Sequence, residues 1–196
     1  TESWNGTCWS EVNNLLVSNT HMCENIGTQT AAMSVGGNNQ PATNENYNGT
    51  CWSELADLNS GRGTSMGSGT STAAMCAGGS PSPTGECEQW NGTSWTEVQN
   101  LNTPRASAGS AMQASYTTSL IFGGATPSST AVTEEWNGTS WTEVGDLSGP
   151  ITHNCGFGTG SAAMTVSGLN TGPPSITIAT QEFNSPVYGI KTVTVS

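Results

Sequence analysis

The sequence predicts an all-β protein of propeller-type repeats, with four full four-stranded units preceded by half a unit. Three observations carry this. A short hairpin sequence containing Asn-Gly returns at fixed phase along the whole chain, and a small-residue block ending in Gly alternates with it. Residues that favour helix are sparse, while Gly (25 of 196 residues), Ser and Thr dominate.

The hairpin block reads ESWNGTCWSEV at 2–12, ENYNGTCWSEL at 45–55, EQWNGTSWTEV at 88–98 and EEWNGTSWTEV at 134–144, with a degenerate copy, EFNSPVYGIKTVTV, at 182–195. Its first aromatic (Trp4, Tyr47, Trp90, Trp136, Phe183) recurs roughly every 43 to 47 residues, a period that suits a propeller blade or a solenoid turn. Between copies lie GTQTAAMSVGG (27–37), GTSTAAMCAGG (69–79), YTTSLIFGG (116–124) and GTGSAAMTVSG (158–168). In the second full unit the strands are expected at 63–69, 72–79, 86–90 and 93–98, separated by a tight turn, the loop 80–85 and the Asn-Gly turn. The same phase divides the chain into one repeat domain with a half-blade at 1–14 and blades at about 15–58, 59–101, 102–147 and 148–196.

Asn-Gly occurs at Asn5-Gly6, Asn48-Gly49, Asn91-Gly92 and Asn137-Gly138. It is the favoured dipeptide of a two-residue hairpin turn with positive φ at both central positions, which is the turn expected here. Each Asn-Gly-Thr is also an N-glycosylation acceptor, at Asn5, Asn48, Asn91 and Asn137, although the turn alone accounts for the Asn and the Gly.

The double Gly closing the second strand, an aromatic in the third and a Trp in the fourth resemble the kelch repeat. Arg62 and Arg105, just before the first strand, stand where kelch units often carry Arg. The resemblance extends to the WNGTSW- and GG-rich kelch-like repeats of environmental phage virions and related surface proteins. It implies a propeller of about five blades if the half-blade is completed, on a virion or an extracellular surface. The chain departs from the kelch pattern in three ways: the aromatic-to-Trp spacing is shorter, the Arg is missing from the first and last units, and Ser167-Gly168 replaces the double Gly. The half-blade lacks two inner strands. Preceding residues or a neighbouring subunit are expected to supply them; otherwise the array is expected to stay open and stack on copies of itself.

Composition narrows the partners. Three Lys and Arg against fourteen Asp and Glu give a net charge of −11, and only 9% of residues are charged, against about 25% in average domains. Three cations cannot neutralise a run of phosphates, so nucleic-acid binding is excluded. No apolar stretch approaches the roughly 18–20 residues of a membrane-spanning helix, so membrane insertion is not expected. Six Cys in a Thr-rich, Lys-poor chain suggest an oxidising, extracellular setting.

The repeated Trp residues (Trp4, Trp9, Trp52, Trp90, Trp95, Trp136, Trp141) are expected to pack between blades; their fixed phase favours this over a sugar-stacking platform. Glu11, Glu54, Glu97 and Glu143 are expected to charge the outermost strand against edge pairing. His21 and His153 each stand two before a Cys, but in different units, and Cys155 is shifted by one relative to Cys23 when aligned on Ala-Ala-Met. No metal or other cofactor is therefore assigned. Disulfide candidates are Cys76 with Cys87 across the loop 77–86, and Cys8 and Cys51 with Cys23, Cys155 or a neighbouring subunit; six Cys allow about 15 pairings. Nucleophile elbow, phosphate loop and Ca²⁺-loop motifs are missing, and two His with three Tyr do not form the ligand set of kelch-type copper oxidases. No catalytic residue is assigned. The expected function is a non-enzymatic structural component of a virion or extracellular appendage, self-associating or joining other subunits through blade edges. The alternative is an adhesion or carbohydrate-binding module that takes a surface glycan on its loops.

Overall fold

The computed structural model describes residues 1–23, 26–37, 39, 41–111, 113–170 and 176–184, together with the backbone of 191–192. Four four-stranded antiparallel sheets are arranged as propeller blades, with a two-stranded sheet at the N-terminal end. That half-blade is β1 (Glu2–Trp4) with β2 (Trp9–Glu11). Blade 1 is β3 (Ile26–Thr28), β4 (Ala31–Val35), β5 (Asn44–Tyr47) and β6 (Trp52–Glu54). Blade 2 is β7 (Met66–Thr70), β8 (Ala73–Ala77), β9 (Cys87–Trp90) and β10 (Trp95–Val98). Blade 3 is β11 (Gly109–Ser110), β12 (Leu120–Phe122), β13 (Thr133–Trp136) and β14 (Trp141–Glu143). Blade 4 is β15 (Cys155–Thr159), β16 (Ala162–Leu169), β17 (Ile176–Asn184) and β18 (Lys191–Thr192). In every sheet the spatial order follows the chain, so each blade is a meander of hairpins. No helix is present among the described residues.

The inner strands β3, β7, β11 and β15 pack in succession. A backbone ladder joins the segments that lead into them: His153 N–H donates to Ser107 O (2.8 Å), Ser107 N–H to Thr64 O (3.0 Å) and Thr64 N–H to His21 O (2.7 Å). All four residues have φ between 49° and 55°, the left-handed conformation that turns the chain before each inner strand. That turn is why β7 starts at Met66, later than the expected residue 63. It also explains the two His, since His, like Asn and Asp, is enriched in this region of backbone space. Through this turn His21 and His153 share one phase, and the one-residue offset of the Cys arises after it.

The Asn-Gly hairpins differ from the expectation. Trp4 pairs with Trp9, Trp90 with Trp95 and Trp136 with Trp141, so the loop has four residues, not two. Only the Gly has positive φ (92° to 95°). The Asn side chain replaces the second left-handed residue: Asn91 Oδ1 accepts from Thr93 N–H (2.9 Å) and Ser94 N–H (3.0 Å), and Asn5, Asn48 and Asn137 repeat this. An Asx turn satisfies two backbone donors without asking Asn for an unfavourable φ.

The double Gly has a packing reason. The second Gly donates its N–H to the carbonyl of the segment entering the next blade: Gly37 to Arg62, Gly79 to Arg105 and Gly124 to Ile151, at 2.8 to 2.9 Å. The first Gly is left-handed, and a Cβ on Gly78 would lie 2.5 Å from the Arg105 carbonyl oxygen. In blade 4 this position is Ser167, also left-handed at φ 56°. No segment of the described chain enters a further blade there, so the Cβ has room. Gly78→Ala is therefore expected to destabilise the fold by about 1–3 kcal/mol. Ser167→Ala should stay within about 0.5 kcal/mol, and parallel urea unfolding curves would check both.

The core lies between blades. Met33, Ile26 and Val35 of blade 1 cluster with Trp90 and Trp95 of blade 2. Met66 and Met75 of blade 2 cluster with Trp136 and Trp141 of blade 3. Leu120 and Phe122 of blade 3 cluster with Ala163 and Phe183 of blade 4. Blades 1 and 2 thus turn a Met-bearing face, and blade 3 a Leu120–Phe122 face, toward the next blade, which meets it with aromatic rings. The packing between blades expected of the repeated Trp holds for Trp90, Trp95, Trp136 and Trp141; Trp52 is half-buried, and Trp4 and Trp9 are exposed because no blade precedes the half-blade among the described residues.

Candidate functional site

Two of the three cations are buried. Arg62 lies 3.0 Å from the Glu88 carboxylate and 3.3 Å from that of Glu86, and Arg105 is paired with Glu134. Arg105 also donates to the carbonyls of Val132 (2.6 Å) and Gly123 (3.3 Å). Their carboxylate partners also hold the linker arriving from the preceding blade. Glu88 accepts from Asn59 N–H and its side-chain amide (2.8 Å each), and Glu134 from Asn102 N–H (2.8 Å) and Thr103 N–H (3.1 Å). Glu45 takes Leu16 and Val17 N–H in blade 1, and Gln181 takes Ser148 N–H in blade 4. One acid or amide per blade, two residues before the third-strand aromatic, therefore stitches each linker to its blade. The carboxylates that hold the linkers are not the four that the sequence singles out. Glu11, Glu54, Glu97 and Glu143 are exposed on the outer strands, as expected of edge charges, whereas Glu45, Glu88 and Glu134 are buried. The available signal was their own fixed phase, with Gln181 appearing where Ile151 replaces the Arg.

The expected cysteine pairings meet a parity problem. Cys76 is registered with Glu88, and Cys87 with Ala77. The two sulfurs therefore face opposite sides of the sheet, Cys76 toward blade 1 and Cys87 toward blade 3, and no bridge joins them. Burial pushes the Cys87 thiol up to about 12. Cys8 and Cys51 sit at hairpin tips, where the Asn5 and Asn48 amides donate to their sulfurs at 3.4 and 3.6 Å. Cys155 is exposed on β15, and all six thiols are free. The four glycosylation-type Asn are exposed at the same tips. His21 and His153 make side-chain contacts only to the adjacent Thr, at 3.2 and 3.4 Å, among the hydrogen bonds of the described residues. No group of three or more His, Cys, Asp or Glu suited to a metal is gathered among the described residues.

The largest contrast along the array is in its two end faces. Trp90, Trp95, Trp136 and Trp141 are all buried, but Trp4 is 43% and Trp9 64% exposed. The half-blade pair has the same internal geometry as the buried ones, with ring centroids 5.6 Å apart against 5.4 and 5.3 Å. At the other end, Met164 occupies the position of Met75, and Phe157 that of Ser68, as the shared strand registers show. Met75 and Ser68 are buried by blade 3, whereas Met164 is 37% and Phe157 48% exposed. Ile176 and Ile178 of β17 are exposed as well, and an indentation of about 240 Å³ opens between Phe157, Met164 and Glu182.

The loop face offers less. A depression of about 440 Å³ is lined by Ser82, Pro83, Thr103, Pro104, Thr126 and Pro127, with no aromatic ring. Tyr116, the aromatic nearest in kind to a loop reader, is half-buried, and its carbonyl accepts from Gln89 at 2.9 Å. No family model matches this chain, and no curated protein sequence matches it.

Proposed function

We propose that the chain is a non-enzymatic structural component of a virion or extracellular appendage, a kelch-like propeller that assembles with copies of itself through its exposed blade faces. The uncovered Met-bearing face of blade 4 and the uncovered Trp pair of the half-blade carry this proposal. They are the two halves of an interface the chain already makes between successive blades, where a Trp pair lies on a Met-bearing face. The half-blade Trp pair of one copy therefore fits the Phe157–Met164 face of another. Exposed aromatic and aliphatic side chains that continue an existing packing scheme mark an association surface. A head-to-tail contact of this kind repeats indefinitely unless its rotation closes a ring, as befits a structural array.

The charge distribution supports an exposed setting. With Arg62 and Arg105 buried, folded protein offers trypsin few accessible cations, and prolonged survival in a limited-proteolysis time course is the expected result. The assembly itself is tested by sedimentation velocity across a range of concentrations, with Trp9→Glu and Phe157→Glu as face-specific variants. Wild type should form concentration-dependent multimers and each variant alone should be monomeric. The two variants mixed should give a heterodimer, because each keeps one good face. A wild type that stays monomeric at every concentration would overturn the assembly.

A further inference from the structure

We infer that Cys23 and Cys76, both free thiols in this structure, form on oxidation a buried disulfide that staples blade 1 to blade 2. Two residues 53 positions apart in sequence meet here: Cys23 precedes β3, and Cys76 lies on β8 with its side chain turned toward blade 1. Both belong to the apolar cluster between the two blades, with exposures of 5% and 0%. The two thiols interact with one another across that junction. Cys76 Sγ also reaches Ser65 Oγ at 3.4 Å, and the Arg62 guanidinium donates to the Cys76 carbonyl at 3.4 Å. Among the described thiols these two are brought together at a blade junction: Cys87 faces the other side of the sheet, Cys8 and Cys51 are engaged at hairpin tips, and Cys155 is on the exposed face of blade 4.

The surroundings favour the chemistry. The hydrogen bond from Cys23 holds the Cys76 thiol below its ordinary value against the effect of burial, with Arg62 and Ser65 adding to it. The Cys23 thiol is held well above its ordinary value, by the same hydrogen bond and by burial. In the packed junction the two thiols therefore differ in acidity, Cys76 being the more readily deprotonated of the pair. With a small-molecule disulfide as oxidant, the Cys76 thiolate attacks one of its sulfurs and expels a thiolate. Cys23, losing its proton to solvent, then attacks the Cys76 sulfur of the mixed disulfide and expels the second thiolate. The protein loses two electrons and two protons, and the oxidant becomes two thiols. Because both sulfurs are buried once the blades are packed, exchange takes place before blades 1 and 2 close or when they part.

The sequence provides a direct assay. Cleavage after Arg62 and Arg105 separates peptide 1–62, which holds Cys23, from 63–105, which holds Cys76. Full-length protein refolded with oxidised glutathione is denatured, alkylated and digested with trypsin without reductant. Mass spectrometry should find these peptides joined and two hydrogens lighter than their sum, and separated after reduction. The link should persist in Cys87→Ala and in the double variant Cys8→Ser, Cys51→Ser, and should vanish in Cys23→Ala and Cys76→Ala. If either of the last two fails to fold, fragmentation of the linked wild-type peptides assigns the bridge directly. Reduction should lower the Tm of the wild type by about 10 °C and leave that of Cys76→Ala unmoved. Full alkylation of all six thiols after oxidative refolding, or a link assigned to Cys87, overturns the inference. This outcome is independent of self-assembly, because the staple lies within one chain.

Discussion

Arg105→Ala is expected to cost about 3–5 kcal/mol of folding free energy, because it strands the Glu134 carboxylate in a site with no solvent access. Arg105 spans Glu134 and the backbone carbonyls of Thr103, Gly123 and Val132, and Glu134 in turn holds the linker at Asn102 and Thr103. Removing the cation leaves those carbonyls unserved and one charge uncompensated. The chain itself contains the neutral solution: blade 4 has Ile151 in place of the Arg and Gln181 in place of the Glu, with Ser148 N–H still bonded to the amide oxygen at 2.7 Å. The double variant Arg105→Ile, Glu134→Gln should therefore recover most of the loss and lie within about 2 kcal/mol of wild type, as replaced buried ion pairs often do. Urea unfolding of the two single variants and the double gives the coupling energy. A loss below about 1 kcal/mol for Arg105→Ala would mean that the Arg105–Glu134 pair does not hold the blade together.

What the sequence made legible was the framework encoded by phase. The repeat length, the four strands per unit, the half-blade and the packing role of the Trp pair follow from residues that recur in register, because every blade meets its neighbours in the same way. What stayed hidden depended on distant segments or on parity. Glu88 and Glu134 read as polar strand residues until the preceding linker is seen to wrap onto them, a contact roughly 30 residues away in sequence. The Cys76–Cys87 pairing failed because one step of register moves a side chain to the opposite face, and the loop 78–86 does not announce its register. The Asn-Gly turn was located correctly yet assigned the wrong length, because the Asn side chain does what a second left-handed residue would have done. Ser167, which looked like a lapse in the double Gly, follows from the uncovered face: blades 1 to 3 have a carbonyl close to that position and blade 4 does not.

Identical substitutions at equivalent positions should separate folding from assembly. Trp136→Ala removes a ring that is 1% exposed and wedged against Met66 and Met75 of the preceding blade, and should destabilise the monomer by about 3–5 kcal/mol. Trp4→Ala changes the same position of the half-blade, where the ring touches Trp9 but has no Met-bearing face against it; it should cost the monomer no more than about 1 kcal/mol. Self-association should respond in the opposite order of sensitivity. If the half-blade pair seats on the Phe157–Met164 face as Trp136 and Trp141 seat on blade 2, Trp4→Ala removes an aromatic anchor worth about 2 kcal/mol, a weakening of roughly 30-fold. Urea unfolding gives the first quantity and sedimentation equilibrium the second. Large folding losses from both variants would place the half-blade Trp pair in a monomer core, and association unchanged by Trp4→Ala would remove that ring from the contact. A stable fold with weakened association is the result that ties one repeat position to packing inside the chain and to docking between chains.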